Sequence, residues 1–567
     1  MPDSIYDLQR QATTELTARG AQFEIKEIEL RGARIKTYKN APPSLREVWL
    51  ASTAYMDRDY LVYEDECWTY AEAHAQVASI ANWLRHQGVK PGDRVAIAMR
   101  NYPQWMLIYW ATVATGAVNV GINAWWVGPE LVYGLNDSTP KVLFCDRERL
   151  ETYRPHAHQI DDMTVVGVRL DEQCEDVIDY AEVLAVGGTL PEVAVDPDAD
   201  ACIFYTSGTT GRPKGAQLTH RGCVSNLMSM AFAGMMNARV MELKTGETPD
   251  PEAAPVGSAL VTTPLFHVTA NNCIAQGTTL SGGKMTLMHR WDPLRALQLI
   301  ERETVTAMSG VPVMARELIE HPEFASHDTS SLLTLGGGGA QLQPDLVGKI
   351  DAAVEARPNT GFGMTETCGI ITSVAGDFFV DKPDSAGPAL PVYDVKCVDD
   401  DGNELPQGEV GELFVKGAHV IRGYLNRPDA TAESITDGWL HTGDVARLDE
   451  DGYIYIVDRK KDMVIRGGEN IYCAEVESAV HEHAAIAECT VFGVPDDRLG
   501  EEVGAAVVLK DGKRLDPQDL RAHCRERVAK HKVPRYIWIM PDKLPRNANG
   551  KFLKRELRES LTVADAG

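Results

Sequence analysis

An apolar run, Ala201-Cys-Ile-Phe204, opens straight into Tyr205-Thr-Ser-Gly-Thr-Thr-Gly-Arg-Pro-Lys-Gly-Ala216. A strand that ends in a loop of hydroxyls and glycines followed by a lysine is physically a phosphate cradle. Glycines let backbone N–H groups approach the oxygens, hydroxyls donate hydrogen bonds, and Lys214 supplies charge. The candidate contacts are Thr206, Ser207, Gly208, Thr209, Thr210, Gly211 and Lys214. The loop is not a Walker A motif, because Arg212-Pro213 separates the last glycine of the run from the lysine. Around this loop, from Tyr60 onward, short apolar runs such as Arg94-Val-Ala-Ile-Ala98 and Lys141-Val-Leu-Phe-Cys145 alternate with helical segments. That alternation predicts parallel sheets in an α/β architecture.

At 567 residues the chain is too long for one core, so two or more folding units are expected. A net charge of −26 argues against nucleic acid or an anionic membrane as the main partner. The balance is uneven: residues 521–567 carry twelve basic and five acidic side chains. Eleven cysteines without a CxxC pair speak against a disulfide framework or a zinc site and point to a reducing, cytoplasmic setting. The N-terminus lacks the pattern of a signal peptide. The uncharged stretch 101–129 is long enough to span a bilayer. Gly116, Asn119, Gly121 and Asn123 interrupt it, however, so a helix running into a buried strand is expected there, not a membrane span.

The first 45 residues, with a helical pattern near residues 4–19, read as an extension packed on a main body. Asp401-Gly402 and Asp451-Gly452 lie between alternating apolar strands, so residues 385–457 should be locally antiparallel. The charged run Asp458-Arg-Lys-Lys-Asp462 then connects to a new α/β pattern and reads as a hinge.

Further strings follow in order: Gly361-Phe-Gly-Met-Thr-Glu-Thr367, Asp437-Gly-Trp-Leu-His-Thr-Gly-Asp444, Asp458-Arg459 and Pro545-Arg-Asn-Ala-Asn-Gly-Lys551. With the phosphate loop they resemble the motifs of the adenylate-forming enzymes, which include acyl-CoA synthetases, firefly luciferase and peptide-synthetase adenylation domains. The resemblance runs from about residue 45 to 558 and is closest to fatty acyl-CoA ligases. It implies an α/β fold with a large N-terminal domain (1–457) of parallel α/β sheets and a distorted antiparallel barrel. A hinge (458–462) and a small mobile α+β C-terminal domain (463–567) would follow.

The same resemblance implies the roles of single residues. Phe362 would stack on adenine, Thr365 would contact the α-phosphate, and Glu366, with Thr206, would hold Mg²⁺ through ATP. A carboxylate beside a triphosphate needs a hard cation between them. The family's usual aromatic is Tyr, so Phe362 keeps the stacking face and loses a hydroxyl. Gly339, Ala340, Gly361, Gly363 and Met364 would line the nucleotide. Asp444, acceptor-only when ionised, would take the ribose hydroxyls, and Arg459 the ribose or phosphates. Lys551 would bridge the substrate carboxylate and the α-phosphate, stabilising charge at phosphorus. Lys461 marks the hinge position. Gly467, Gly468 and Glu469 would line a pantetheine tunnel, and Arg525, with Arg527, Lys530 and Lys532, would hold the nucleotide end of coenzyme A. His267, in Pro264-Leu-Phe-His-Val268, would gate the acyl pocket.

The expected reaction is therefore AMP-forming: carboxylic acid and ATP give acyl-adenylate and pyrophosphate, then coenzyme A gives acyl-CoA and AMP. The acyl pocket should lie within residues 228–365. Met228, Met230, Met235 and Met236 are deformable, and the run of glycines 336–339 places no side chain in the way. Both features favour a medium- or long-chain fatty acid. Aryl, branched or steroid-side-chain acids remain alternatives, as does transfer to a carrier protein. A peptide-synthetase module should continue into a carrier domain, whereas sixteen residues follow Lys551 here. A non-catalytic nucleotide or acyl-CoA sensor would have lost Glu366, Asp444, Arg459 or Lys551, and all four are present. A homodimer is compatible with the sequence.

Overall fold

The computed structural model describes residues 4–567 apart from 161–162, 173, 207–211, 249–254, 340–341, 354–355, 468 and 548–549. The chain forms two compact units: Met1–Asp394 with Lys416–Leu440, and Val395–Val415 with His441–Gly567.

Two large sheets dominate the first unit. The seven-stranded sheet runs, in spatial order, Lys214–Thr219, Asp200–Thr206, Val118–Gly121, Arg94–Ala98, Val142–Asp146, Thr164–Val168 and Ile178–Asp179. All neighbours are parallel except the first pair, an antiparallel hairpin that sets Thr206 opposite Lys214. The strand Val118–Gly121 is buried throughout, and it carries the polar Asn119 into the core along with its valines. The uncharged stretch before it is the buried helix Pro103–Ala114. No helix among the described residues is long and apolar enough to cross a membrane.

The eight-stranded sheet has a parallel centre, from Arg357–Thr360 through Thr334–Gly337, Ala307–Gly310 and Ser258–Val261 to Lys284–Leu287 and Asp59–Tyr63. Antiparallel strands Val374–Ala375 and Glu66–Thr69 finish its edges. A Cβ on Gly336 would lie 1.9 Å from Asn359 Oδ1 and 2.2 Å from the Asn359 carbonyl oxygen, and one on Gly337 would lie 2.9 Å from the Gly310 carbonyl oxygen. These two glycines therefore serve close strand packing. The methionines of the helix His220–Thr245 face different ways: Met228 and Met236 are buried, while Met235 is 44% exposed. They do not form a single wall.

The N-terminal segment is clasped onto this body. Ser4 caps the helix Ile5–Thr17 in a capping box with Asp7. The hairpin Ile25–Leu30 with Ala33–Tyr38 follows. Phe23 is fully buried, edge-on to Phe232 at 5.5 Å between ring centroids. The buried Tyr38 hydroxyl lies 3.1 Å from Ser229 Oγ, which lies 3.0 Å from His419 Nε2. Burial pushes His419 down to about 3, so its imidazole is neutral. The His419 ring stacks on Tyr393 at 4.3 Å, and the Tyr393 hydroxyl donates to the Thr367 carbonyl oxygen at 3.4 Å.

The strand Trp439–Leu448, which belongs to the second unit from His441 onward, is followed by a turn at Gly452, where φ is +80°, and pairs antiparallel with Tyr453–Arg459. This is the hairpin expected at Asp451-Gly452. A five-stranded sheet follows, Glu469–Ile471, Val464–Arg466, Gly500–Leu509 and Ile486–Asp496, with Tyr536–Met540 parallel to Gly500–Leu509. Its core of Val464, Val476, Val491, Val503, Leu520 and Ile537 packs under the helices Cys473–His481 and Pro517–Arg525.

Candidate active site

In the first unit the phosphate-loop strand and the Glu366 turn are tied together by one segment, residues 417–425. Gln217 N donates to the Gly423 carbonyl oxygen at 2.9 Å and Leu425 N to that of Gly215 at 2.8 Å, so the segment lies along the strand Lys214–Thr219. Ile421 N donates to the Glu366 carbonyl oxygen at 3.0 Å, and the Tyr424 hydroxyl donates to Glu366 Oε1 at 2.9 Å. Burial, with Glu366 beside it, pushes the Tyr424 hydroxyl well above the ordinary tyrosine range, so it stays a donor. The Lys214 ammonium lies over the Tyr424 ring, 5.1 Å from its centroid. Thr206 Oγ1 sits 3.5 Å from the Lys214 carbonyl oxygen at the mouth of the loop. Ser207, Gly208, Thr209, Thr210 and Gly211 lie outside the described residues, as does Ala340.

Glu366 stands in a 3₁₀ turn, Thr365–Thr367, at the tip of the hairpin Gly363–Met364 with Gly369–Ile370. A Cβ on Gly363 would lie 2.1 Å from the Gly369 carbonyl oxygen, which accounts for the glycine. Two buried amides fix the hairpin from beneath: Asn272 Nδ2 donates to the Cys368 carbonyl oxygen at 2.9 Å, and Ile370 N donates to Asn226 Oδ1 at 2.9 Å. The motif strings do not contain Tyr424, Asn226 or Asn272. Gly361 and Phe362 enter the hairpin, with Phe362 N donating to Thr372 Oγ1 at 2.9 Å. Gly339 has φ +78° just past the strand Thr334–Gly337. His267 stands at the start of the short helix Val268–Ala270, its ring 4.8 Å from that of Phe266.

Glu366 is buried, one carboxylate oxygen is fixed by Tyr424, and Oε2 accepts no hydrogen bond among the described residues. A hard oxygen held this way fits a magnesium-sized cation carried by a polyphosphate.

In the second unit Asp444 is buried, and its Oδ1 accepts from Arg459 Nε at 3.0 Å. The two stand opposite each other in the antiparallel ladder, so Arg459 neutralises the carboxylate. Lys461 is exposed just after this ladder, and the neighbouring Lys460 pairs with Glu412 at 3.1 Å. Gly467 has φ +62°, its N–H donating to the Leu499 carbonyl oxygen at 2.7 Å. Glu469 is exposed at a strand start, and Gly468 lies outside the described residues. Arg525 is exposed at the end of its helix, whereas Arg527 and Lys532 are engaged by Glu482 and Glu475, both at 2.6 Å.

Lys551 is exposed on a loop closed by hydrogen bonds from Asn547 N to the Lys551 carbonyl oxygen, 2.9 Å, and from Lys551 N to Asn547 Oδ1, 3.0 Å. Three residues on, the Lys554 ammonium lies 2.9 Å from Glu477 Oε1. Burial opposes that charge, but Glu477, Cys473 and Asp458 outweigh it and hold Lys554 above the ordinary lysine value. Burial pushes Asp458 up to about 6, against the pull of Lys554 and hydrogen bonds from Arg459 N and Cys473 N.

The family described as "AMP-binding enzyme" matches residues 48–425, and "AMP-binding enzyme C-terminal domain" matches residues 475–551. A feruloyl-CoA synthase of Amycolatopsis sp is 38% identical, covering 86% of this chain and 93% of that protein. A long-chain-fatty-acid–CoA ligase of Bacillus subtilis is 31% identical, covering 90% and 93%. The structure of o-succinylbenzoate CoA synthetase from Bacillus subtilis with its acyl-adenylate intermediate superimposes with a TM-score of 0.76 at 30% identity, covering 92% of this chain and 99% of that one. The chain belongs to the AMP-binding enzyme family. Within it, the protein is an AMP-forming acid–thiol ligase, an acyl-CoA synthetase, with ATP and coenzyme A as the substrates of that class.

Proposed function

We propose that this ligase activates an aromatic carboxylic acid of the hydroxycinnamate or acylbenzoate kind. The observation that carries the reading is the 38% identity to a feruloyl-CoA synthase across 93% of that protein's length. Two features that favoured a fatty acid in the sequence support it less here, because Met235 is exposed while Met228 and Met236 are buried, and Gly336 and Gly337 serve strand packing. A medium- or long-chain fatty acid is the second reading, favoured by the 31% identity to a long-chain-fatty-acid–CoA ligase.

In the first half-reaction the acid's carboxylate oxygen bonds to the α-phosphorus of ATP and pyrophosphate leaves. In the second, the coenzyme A thiol attacks the acyl carbonyl, losing its proton, and AMP leaves. On the first unit, Thr206, the loop 207–211 and Lys214 receive the phosphates, Phe362 faces the adenine, Thr365 the α-phosphate, and Gly339 and Ala340 the nucleotide's flank. Glu366, with Thr206, presents hard oxygens to Mg²⁺, which when bound neutralises charge on the triphosphate. His267 guards entry of the acid. On the second unit, Asp444, its charge balanced by Arg459, takes the ribose hydroxyls, and Lys551 offsets repulsion between the two anions that react. The second unit pivots at Lys461 between the half-reactions, so that residues 467–469 serve the pantetheine arm and Arg525 the coenzyme A nucleotide.

The test is incubation with MgATP, coenzyme A and a panel of ferulate, cinnamate, benzoate, 2-succinylbenzoate and straight-chain acids of increasing length, following AMP and free thiol together. Aromatic acids should give the highest kcat/KM with thiol loss matching AMP. A rise of about fourfold per methylene, from roughly 0.8 kcal/mol each, would instead establish an aliphatic tunnel. AMP formed without thiol loss would move the acyl group to a carrier protein.

A further inference from the structure

Tyr424 stands between the two charged side chains of the first unit that belong to the phosphate site. Its hydroxyl donates to Glu366 Oε1 at 2.9 Å, and its ring takes the Lys214 ammonium 5.1 Å from the centroid. The tyrosine itself cannot follow either group. Its N–H donates to Thr431 Oγ1 at 2.9 Å, and its neighbours on both sides bond to the strand Lys214–Thr219 through Gly423 and Leu425. Glu366 is held from the same segment by Ile421 N. Neither Glu366 nor Lys214 forms an ion pair among the described residues. A buried carboxylate and a lysine sharing one neighbour would ordinarily close on each other, since each is a costly charge until it is matched. Here one ring keeps them on separate partners, a phenol hydroxyl for the acid and an aromatic face for the base.

We propose that Tyr424 is a positioning residue that separates Glu366 from Lys214 and keeps both available to MgATP. The hydroxyl fixes Oε1, so that Oε2 is presented to the cation. The ring face holds Lys214 by a contact weak enough to be exchanged for a phosphate oxygen. Without the tyrosine, Glu366 and Lys214 neutralise each other, and ATP must break that pair before it binds. The proposal rests on the reading that Glu366 receives the cation of MgATP.

Equilibrium binding of ATP, measured by titration calorimetry in Mg²⁺ and again in EDTA, tests it without recourse to turnover. The proteins are the full chain, Tyr424→Phe, Tyr424→Leu and Glu366→Gln, each checked for a wild-type thermal transition. Tyr424→Phe keeps the ring and loses the hydroxyl, so Mg²⁺-dependent tightening should fall about tenfold or more, as for loss of a hydrogen bond to a charged group. Its binding in EDTA should stay within about twofold of wild type. Tyr424→Leu should weaken binding in both buffers, because Lys214 is then drawn to Glu366. If Glu366→Gln leaves the Mg²⁺ increment intact, the reading of Glu366 itself fails. If Glu366→Gln removes the increment while Tyr424→Phe retains it at full size, the metal site stands and the positioning role of Tyr424 is overturned.

Discussion

Replacing Lys554 with methionine isolates the charge cluster that Lys554 forms with Glu477 and Asp458, three residues along the chain from Lys551. The ammonium sits 2.9 Å from Glu477 in a pocket that leaves Lys554 20% and Glu477 24% exposed, and Asp458 is 8% exposed. Methionine fills the volume of the aliphatic stem and leaves two carboxylates without their cation. Removing one partner of a buried pair costs about 3–5 kcal/mol, and partial wetting places this case near 3. The loss should depend on pH. Asp458 is raised by burial from 3.8 to about 6 in the folded chain, so its protonated form favours folding. The stability it contributes is complete below 3.8 and is lost as pH climbs through about 6, a difference of about 3 kcal/mol. Lys554 pulls that value down, so without it Asp458 rises further and the window of loss extends above pH 6. The variant should therefore show its largest deficit at pH 8 and its smallest near pH 5. Hydrogen exchange of peptides covering Tyr453–Arg459 and Cys473–His481, corrected for intrinsic rates, reads this locally. The reasoning is refuted by a loss under about 1 kcal/mol at pH 8, or by an equal loss at both pH values. Adding Glu477→Gln should recover part of the deficit, because one of the orphaned charges is then gone.

Gly336→Ala should destabilise the first unit by several kcal/mol or prevent soluble expression, since its Cβ meets Asn359 at 1.9 Å, while Gly338→Ala, with open space around it, should leave Tm unchanged. Phe23→Ala should cost about 3–5 kcal/mol and raise proteolysis of the N-terminal segment, because the ring is fully buried against Phe232. Among the eleven cysteines Cys67 is the exposed one, and burial of part of its side chain pushes its thiol up to about 11. Its reaction with a disulfide reagent should accelerate about tenfold per pH unit from 7 toward 10, whereas Cys67→Ser should remove that phase.

The nucleotide strings were legible because their chemistry is local. A glycine-rich turn, its hydroxyls and its lysine are contiguous, and the turn at Glu366 declares itself by glycines that only a tight hairpin requires. What holds those strings was not legible. Tyr424 is 58 residues from Glu366, Asn272 is 96 from Cys368, and Asn226 is 144 from Ile370. Each is an unremarkable polar residue until the fold brings it to its partner. The methionines of His220–Thr245 misled for the opposite reason: composition names residue types, while helical rotation distributes them to different faces. The glycines at 336 and 337 looked like empty space and are close strand contact.

The clasp of the N-terminal segment also dictates when it can be completed during synthesis. Tyr6 bonds to Asp381, Arg31 to the carbonyl of Val420, and Tyr38 reaches His419 through Ser229. Tyr6 and Arg31 thus wait for partners 375 and 389 positions later. At about 5–20 residues per second that interval is tens of seconds. Through it, the apolar face that Phe23 will bury has no finished surface to dock on, and closing loops of this length makes the step slow. The segment is therefore made long before its partners and is among the latest to settle, which gives a chaperone prolonged access to it.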